Sequence, residues 1–388
     1  MLRTRSSRCR QNSPARTSNC ASPFSTICRL TTREAASHTT GRGTAAGTAG
    51  AARSAGPLLA RAVSSPATPL VAIVGPTAAG KSALGITVAE QMGGEVLVCD
   101  STQVYRRFDI GTAKVPPAAR RGVPHHLLDL VEPHELFTAG DYRTRALAVL
   151  EDLRRRQRLP VLTAGTGLYL RALLEGLSDA PTRSEALRAR LRERAARHRP
   201  GYLHRLLTRL DPEAAARIAP ADTQKLIRAI EVCLLAGRPI SDIHRQGRPR
   251  LEGFSVLKIG LQPPRAQLYE RIELRVARML DAGWLEEVRS LLASGLDPTA
   301  KPFQFIGYRE LAAHLAGRYP LAKTIETIQR NTRRYAKRQL TWFRREPDVH
   351  WFSGFGDDPA LAAAVLDFLR ERLSSTGRPE GGIMIQGS

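Results

Sequence analysis

The run Leu70-Val-Ala-Ile-Val-Gly-Pro-Thr-Ala-Ala-Gly-Lys-Ser-Ala-Leu84 constrains this chain more than any other stretch. Branched apolar residues at its start read as a buried strand. They lead into Gly75, Pro76, Thr77, Ala78, Ala79, Gly80, Lys81 and Ser82, and a helical pattern follows from Ala83 to Met92. Strand, glycine-bracketed loop and helix together are the context in which a Gly-x-x-x-x-Gly-Lys-Ser run cradles phosphate. The loop turns tightly enough for its backbone N–H groups to converge, and the helix N-terminus adds partial positive charge. Lys81 supplies a cation, and Ser82 is placed to hold Mg²⁺ beside the phosphates. The run predicts a bound diphosphate or triphosphate without choosing between them.

The pattern beyond it is α/β. A second apolar run, Glu95 to Cys99, ends in Asp100-Ser-Thr-Gln-Val-Tyr105. An amphipathic helix over 141–157 precedes a third strand over 159–164, which closes in Gly165-Thr166-Gly167. Strands alternating with helices imply a parallel sheet, with ligands at the carboxyl ends of its strands. Gly75–Ser82, Asp100–Gln103 and Thr166 are therefore expected to share one crevice. Residues 183–250 lack any strand-like run and read as consecutive helices over 184–197, 201–210, 212–218 and 223–236, an all-helical insertion. Strands are expected again at 254–261 and 350–352, with helices over 265–282, 285–294, 308–316 and 321–343 between them. A C-terminal helix and flexible tail complete the chain over 356–388.

Residues 1–66 differ from the rest, holding ten arginines and one acidic residue, Glu34. Such a segment cannot bury enough apolar surface to offset its ordering entropy, so disorder is expected. Its composition suits a transit peptide, or a leader read from an upstream start. The formal net charge of the whole chain is +23. That balance favours a polyanionic partner, nucleic acid first and an anionic membrane surface second, although GC-rich coding also inflates arginine. No apolar run approaches the roughly 20 residues needed to span a bilayer. The five cysteines show no metal-ligand spacing and no disulfide framework, which fits a reducing compartment. His125 and His126 lack a further His or Cys at ligand spacing, so they read as structural or pocket-lining.

An enzyme that hydrolyses nucleoside triphosphates normally adds a strand ending in Asp to hold Mg²⁺. Here the third strand ends in Thr163-Ala-Gly-Thr166. The nearest strand-end acid is Asp100, whose neighbours Ser101, Thr102 and Gln103 suit substrate recognition. A carboxylate beside a phosphate site can serve as general base toward an incoming nucleophile. It can equally be an N-cap or a partner of bound Mg²⁺.

Further motifs occur in order: Asp109-Ile-Gly-Thr-Ala-Lys114, Pro124-His-His-Leu-Leu-Asp129, Gly165-Thr-Gly-Leu-Tyr169, Leu226-Ile-Arg-Ala-Ile-Glu-Val232, Gly307-Tyr-Arg309 and Tyr335-Ala-Lys-Arg-Gln-Leu-Thr-Trp-Phe-Arg344. With the phosphate loop they make residues 69–353 resemble the tRNA dimethylallyltransferases, which prenylate N6 of the adenosine beside the anticodon. The resemblance implies that the loop holds dimethylallyl diphosphate with Mg²⁺, and that Asp100 is the general base. It implies that Thr166 and Arg188 contact the substrate nucleotide. Arg265, Arg271 and Arg275 lie on one helix, and their charge assigns Arg275 to the diphosphate.

The resemblance also places RNA contacts at Asp100, Ser101, Thr102 and Gln103, and at Gln224, Lys225, Leu226, Ile227 and Arg228. Further contacts fall at Gln304, Phe305, Ile306, Gly307, Tyr308 and Arg309, and at Lys337, Arg338, Gln339, Leu340, Thr341, Trp342, Phe343 and Arg344. The last run interleaves cations for phosphate with aromatics that can stack on bases. Tyr335 and Trp342, seven apart on one helix face, also suit a core. The family usually has Gly-Gly-Thr where this chain has Ala164-Gly165-Thr166, and the added Cβ is expected to crowd that turn.

The reading is a P-loop α/β enzyme with a helical RNA-gripping insertion, acting as a cytoplasmic monomer on the anticodon stem-loop. Organelle targeting is the alternative if 1–66 are a transit peptide. Its rivals are an enzyme prenylating free adenine nucleotides, a P-loop small-molecule kinase and a non-catalytic RNA-binding protein. The zinc-finger extension of eukaryotic relatives is absent, since no Cys follows residue 355.

Overall fold

A computed structural model describes residues 67–376. The leader expected over 1–66 and the end of the tail lie outside the described residues. The described chain forms two units, one over Pro181–Ser241 and one joining 67–180 to 242–376.

In chain order the elements are β1 (Thr68–Val74), α1 (Lys81–Gln91), β2 (Gly94–Cys99), β3 (His125–His126), α2 (Ala139–Arg155), β4 (Leu159–Ala164) and α3 (Gly167–Leu174). The helical unit holds α4 (Glu185–Arg197), α5 (Tyr202–Leu210), α6 (Pro212–Arg217) and α7 (Thr223–Ala236), and α8 (Ile240–Arg245) leads out of it. The chain then forms β5 (Phe254–Leu261), α9 (Arg265–Asp281), α10 (Trp284–Ala293), α11 (Tyr308–Leu315), α12 (Leu321–Phe343), β6 (Val349–Phe352) and α13 (Pro359–Thr376).

All six strands run parallel in one sheet, ordered β3-β2-β4-β1-β5-β6. This is the α/β architecture expected from the alternating pattern. β1 is central and buried on both faces from Leu70 to Val74, as an apolar run with no polar alternation requires. Alternate side chains divide between two cores. Val71 and Ile73 join Leu84 and Val88 of α1 and Val365 and Leu369 of α13. Leu70, Ala72 and Val74 face Tyr142, Ala146, Leu150 and Leu153 of α2, Leu170 and Leu173 of α3, and Phe343 of α12. Each fully buried Leu or Ile contributes about 1.5–3 kcal/mol relative to exposure.

Helix α2 begins two residues earlier than its apolar pattern suggests. Thr138 and Asp141 form a reciprocal capping box, with Asp141 N–H donating to Thr138 Oγ1 at 3.2 Å and Thr138 N–H to Asp141 Oδ2 at 2.9 Å. Besides α8, two elements lie outside the ranges expected from the sequence. Helix α3 opens on Gly167 and has only eight residues, while β3 is a two-residue edge strand beside β2.

A third core gathers the segment after β2 against the C-terminal helices: Val104, Tyr105, Phe108 and Val131 with Trp284, Val288, Phe303, Tyr308, Leu311 and Ile328. It accounts for two of the sequence motifs. Lys114 Nζ, almost buried, donates to Tyr105 O, Asp109 Oδ1 and Asp129 Oδ1 at 2.6, 2.6 and 2.5 Å, so it ties together the segment that follows Gln103. Glu287 accepts from Asp109 N–H, Ile110 N–H and Tyr308 Oη–H, and the Trp284 ring lies flat in the space that Cβ atoms at Gly111 and Gly307 would need.

A candidate diphosphate and acceptor site at the carboxyl ends of the strands

The phosphate loop leaves β1 and enters α1 through positive φ at Ala78 (64°) and Gly80 (86°), which caps the helix without any side chain. Lys81 Nζ donates to Pro76 O at 2.8 Å, folding its ammonium back over the loop. Burial pulls the Lys81 ammonium down to about 8; the charge of Asp100 opposes that shift and Arg275 adds to it. Arg275, on α9, is also lowered, first by burial, with Asp100 opposing. Lys81, Asp100 and Arg275 thus sense one another over the loop. Ser82 is exposed in the first turn of α1.

Segment 353–357 closes the loop on its other side. Gly356 N–H donates to Ala79 O at 2.8 Å, Phe355 packs with Ala78, Leu268 and Ile272, and Asp357 pairs with Arg271. The sequence carried no signal for this cover, whose contacts reach from 86 residues away at Arg271 to the phosphate loop near the start of the described chain.

Asp100 ends β2 in a local turn, its Oδ1 accepting from Thr102 N–H at 2.8 Å and Thr102 Oγ1–H at 2.7 Å. Thr166 Oγ1 accepts from Ser101 N–H at 2.9 Å, and the N–H groups of Gly165 and Thr166 both donate to Cys99 O at 3.0 Å. The ends of β2 and β4 are therefore locked together. At Gly165 a Cβ would sit 2.4 Å from Asp100 Oδ2, so this glycine lets the carboxylate lie flat on the turn. Ala164, the departure expected to crowd the turn, does not crowd it. Its side chain is fully buried in the core beside Leu97 and Cys99, one residue before the close approach. Gln103 Nε2 donates to Thr112 O at 3.0 Å.

The run from Lys337 to Arg344 is mixed. Lys337, Arg338, Thr341 and Arg344 are exposed, Leu340 and Trp342 half-buried, and Gln339 and Phe343 buried. A cavity of about 290 Å³ is lined by Arg171, Lys337, Arg338, Thr341, Trp342 and Arg345. There the Arg171 guanidinium lies 4.8 Å from the Trp342 ring centroid. Gln304 and Arg309 are exposed, whereas Phe305 and Ile306 pack on the third core and Gly307 is buried.

Several residues within the runs expected to contact RNA have buried side chains. Tyr308 and Phe343 are 0% exposed, Leu226 and Ile227 1% and 3%, because apolar positions at helical spacing fill cores. Gln339 is buried with both amide ends bonded to backbone.

Within the helical unit, Gln224 and Lys225 are exposed. Arg188, expected at the substrate nucleotide, is half-buried, and its Nε and Nη2 donate to Glu231 at 2.9 and 2.8 Å. Arg228 Nη1 and Ser184 N–H donate to the same carboxylate, both at 2.8 Å. Burial pushes the Glu231 carboxyl up, but the two guanidiniums and the N–H outweigh it and hold it at about 2. A carboxyl depressed in this way stabilises the fold above its unfolded value near 4.3, and that contribution is lost as pH falls toward 2. Glu231→Ala is expected to destabilise the helical unit by about 3–5 kcal/mol, since it strands two guanidiniums. Melting followed by circular dichroism at pH 7 checks this, and a loss below about 1 kcal/mol would refute the strut role.

The two histidines of β3 are half-buried, and His125 Nδ1 lies 2.8 Å from Val123 O. His126 Nε2 lies 2.7 Å from Glu95 Oε2, and Glu95 is held to about 2 mainly by its hydrogen bonds from Arg156. Among the described residues no group of three His, Cys, Asp or Glu side chains is placed to hold a metal ion. None of the described helices is long and apolar enough to cross a membrane.

Residues 103–346 match the family model described as IPP transferase. A tRNA dimethylallyltransferase of Solibacter usitatus (strain Ellin6076) is 50% identical over 299 residues, covering 77% of this chain and 97% of that relative. One from Koribacter versatilis (strain Ellin345) is 48% identical over 301 residues, 78% and 98% of the two chains. Among solved structures, the full-length tRNA isopentenylpyrophosphate transferase of Bacillus halodurans is similar at 37% identity and a TM-score of 0.59, over 79% of this chain and 97% of that one. A eukaryotic dimethylallyltransferase acting on tRNA is similar at 26% identity and a TM-score of 0.68, over 80% of each chain. The chain belongs to the IPP transferase family.

Proposed function

We propose that the protein transfers the dimethylallyl group of dimethylallyl diphosphate to N6 of adenosine 37 in tRNAs that read codons beginning with U. The observation that carries this reading is the phosphate-cradling loop at the end of β1 beside the Asp100–Ser101 turn, which is bonded to Thr166, in a chain of this family. The loop amides, Lys81 and Arg275 would hold the diphosphate and stabilise charge as it departs. The adenine N6 amine attacks the allylic carbon, forming the N–C bond as the C–O bond to diphosphate breaks and its electron pair leaves with the diphosphate. Asp100 takes the amine proton, and Thr166 holds the nucleotide beside it.

A divalent cation, Mg²⁺ in this reading, would neutralise charge on the diphosphate. Ser82 Oγ fits as its protein ligand, and the diphosphate oxygens would supply others, since the described residues gather no carboxylate cluster.

The acceptor amine in a stacked loop is out of reach, so the nucleotide must be extruded into the crevice. Exposed Lys337, Arg338, Thr341 and Arg344, the Trp342 cavity, Gln304, Arg309, Gln224 and Lys225 are the surfaces we assign to the anticodon stem-loop. In this reading the helical unit, described over Pro181–Ser241, is the RNA grip, and Arg188 and Arg228 act by holding α4 and α7 in place. The protein then works as a monomer in the cytoplasm, or in an organelle if 1–66 direct it there.

The test incubates the full chain and Mg²⁺ with labelled dimethylallyl diphosphate and unmodified tRNA carrying A36-A37, and in parallel with AMP. Label at A37 alone supports the proposal. Label in AMP moves the protein to free-nucleotide prenylation, and ATP consumption without transfer makes the loop a nucleotide site. tRNA affinity is expected to fall about 10³–10⁵-fold between 50 and 200 mM salt for 6–10 phosphate contacts. A flat dependence, read by filter binding, would refute an electrostatic grip.

A further inference from the structure

Gln339 is 6% exposed on α12, and its amide is used at both ends. Oε1 accepts from Thr77 N–H at 2.7 Å, and Nε2 donates to Gly165 O at 2.7 Å. Tyr335, one turn earlier, donates its hydroxyl to the same carbonyl at 3.4 Å. Thr77 belongs to the phosphate loop, and Gly165 is the residue whose missing Cβ makes room for Asp100 Oδ2. One side chain therefore spans from the loop on β1 to the turn on β4 that abuts the carboxylate. Because an N–H only donates and a carbonyl only accepts, the amide can be set in one orientation alone.

We infer that Gln339 is the positioning residue that sets the distance between the diphosphate loop and the Asp100–Thr166 turn, and touches neither substrate. The inference rests on the proposed function, since it concerns the geometry of that displacement. Attack on the allylic carbon needs the amine and the departing oxygen on opposite sides of one atom, and a 1 Å misplacement can cost about 10²-fold in rate. Each half of the site keeps its own internal bonds without Gln339: Lys81 to Pro76 on one side, and Ser101 and Thr102 to Thr166 and Asp100 on the other. Loss of the bridge should therefore move kcat and spare the binding of each substrate alone. It also follows that Thr77 N–H is committed to Gln339, which leaves the loop amides beyond it to face the anion.

Two variants test this. Gln339→Met keeps the length and volume but removes both hydrogen bonds. It is expected to lower kcat about 10²-fold while KM for dimethylallyl diphosphate and for tRNA stays within about twofold. Gln339→Glu faces Gly165 O with a carboxylate oxygen when ionised, but when protonated it restores one donor and one acceptor. Its rate relative to wild type at the same pH is therefore expected to rise as pH is lowered from 8 to 6. Tyr335, which shares the Gly165 carbonyl, is the titratable neighbour the structure places at this bond, and normalising to wild type removes the pH dependence of the rest of the site. Gln339→Met within threefold of the wild-type kcat would overturn the inference. So would a loss confined to KM, or a Gln339→Glu ratio that does not change with pH. Transfer by the wild type is scored separately, so failure of the proposed reaction is distinguishable from failure of the bridge.

Discussion

Asp100→Asn is expected to lower kcat by about 10²–10⁴-fold while leaving tRNA affinity and the melting temperature near wild type. The asparagine Oδ1 can still accept from Thr102 N–H and Thr102 Oγ1–H, the two bonds that shape the turn after β2. What disappears is the carboxylate charge, including the oxygen that lies against Gly165 and accepts the proton in the proposed reaction. Single-turnover transfer with saturating substrates reads the chemical step directly. A rate within threefold of wild type would remove Asp100 as the base. Lost tRNA binding with normal chemistry would make it an RNA contact.

Lys81→Met carries the second large effect, a fall of about 10²–10³-fold in kcat/KM for dimethylallyl diphosphate. The wild-type pH profile should show the same group. Burial brings the Lys81 ammonium down to about 8, so the free enzyme holds the charged form below that pH and loses it above. Binding of an anion is thus full below about 8 and weakens as pH rises through it. Bound diphosphate favours the ammonium, so the corresponding limb in kcat should lie at higher pH than the limb in kcat/KM. Lys81→Met should lack the limb altogether. A variant that keeps it would assign the titration to another group.

What could be read from the sequence was local. The phosphate loop needs eight consecutive residues and their flanks, and β1 needs only an unbroken apolar run, so both stand in the structure as the pattern implied. Parallel pairing follows from the alternation of strands and helices. The features that escaped are those in which distant residues meet. Gln339 lies 262 residues from Thr77 and 174 from Gly165, and as one polar residue in a basic helix it resembled a surface contact. The bonds of Arg188 to Glu231 of α7 join residues 43 apart and were equally hidden. Leu226, Ile227, Tyr308 and Phe343 sit inside conspicuous motifs, yet they hold the helices that carry the exposed cations. Motif order identifies which segments matter, and burial decides which of their side chains can touch a ligand.

The position of β5 bears on how the chain is made. β1 lies between β4 and β5, but β5 ends at Leu261 whereas β4 ends at Ala164, and the helical unit is synthesised in between. At roughly 5–20 residues per second, one flank of β1 waits about 5–20 s for its neighbour on the ribosome. During that time the most apolar strand of the protein presents open N–H and C=O groups, the kind of edge on which other chains can add. The connectivity of the chain therefore fixes an interval in which β1 is paired on one side only, and it ends when Phe254–Leu261 emerges.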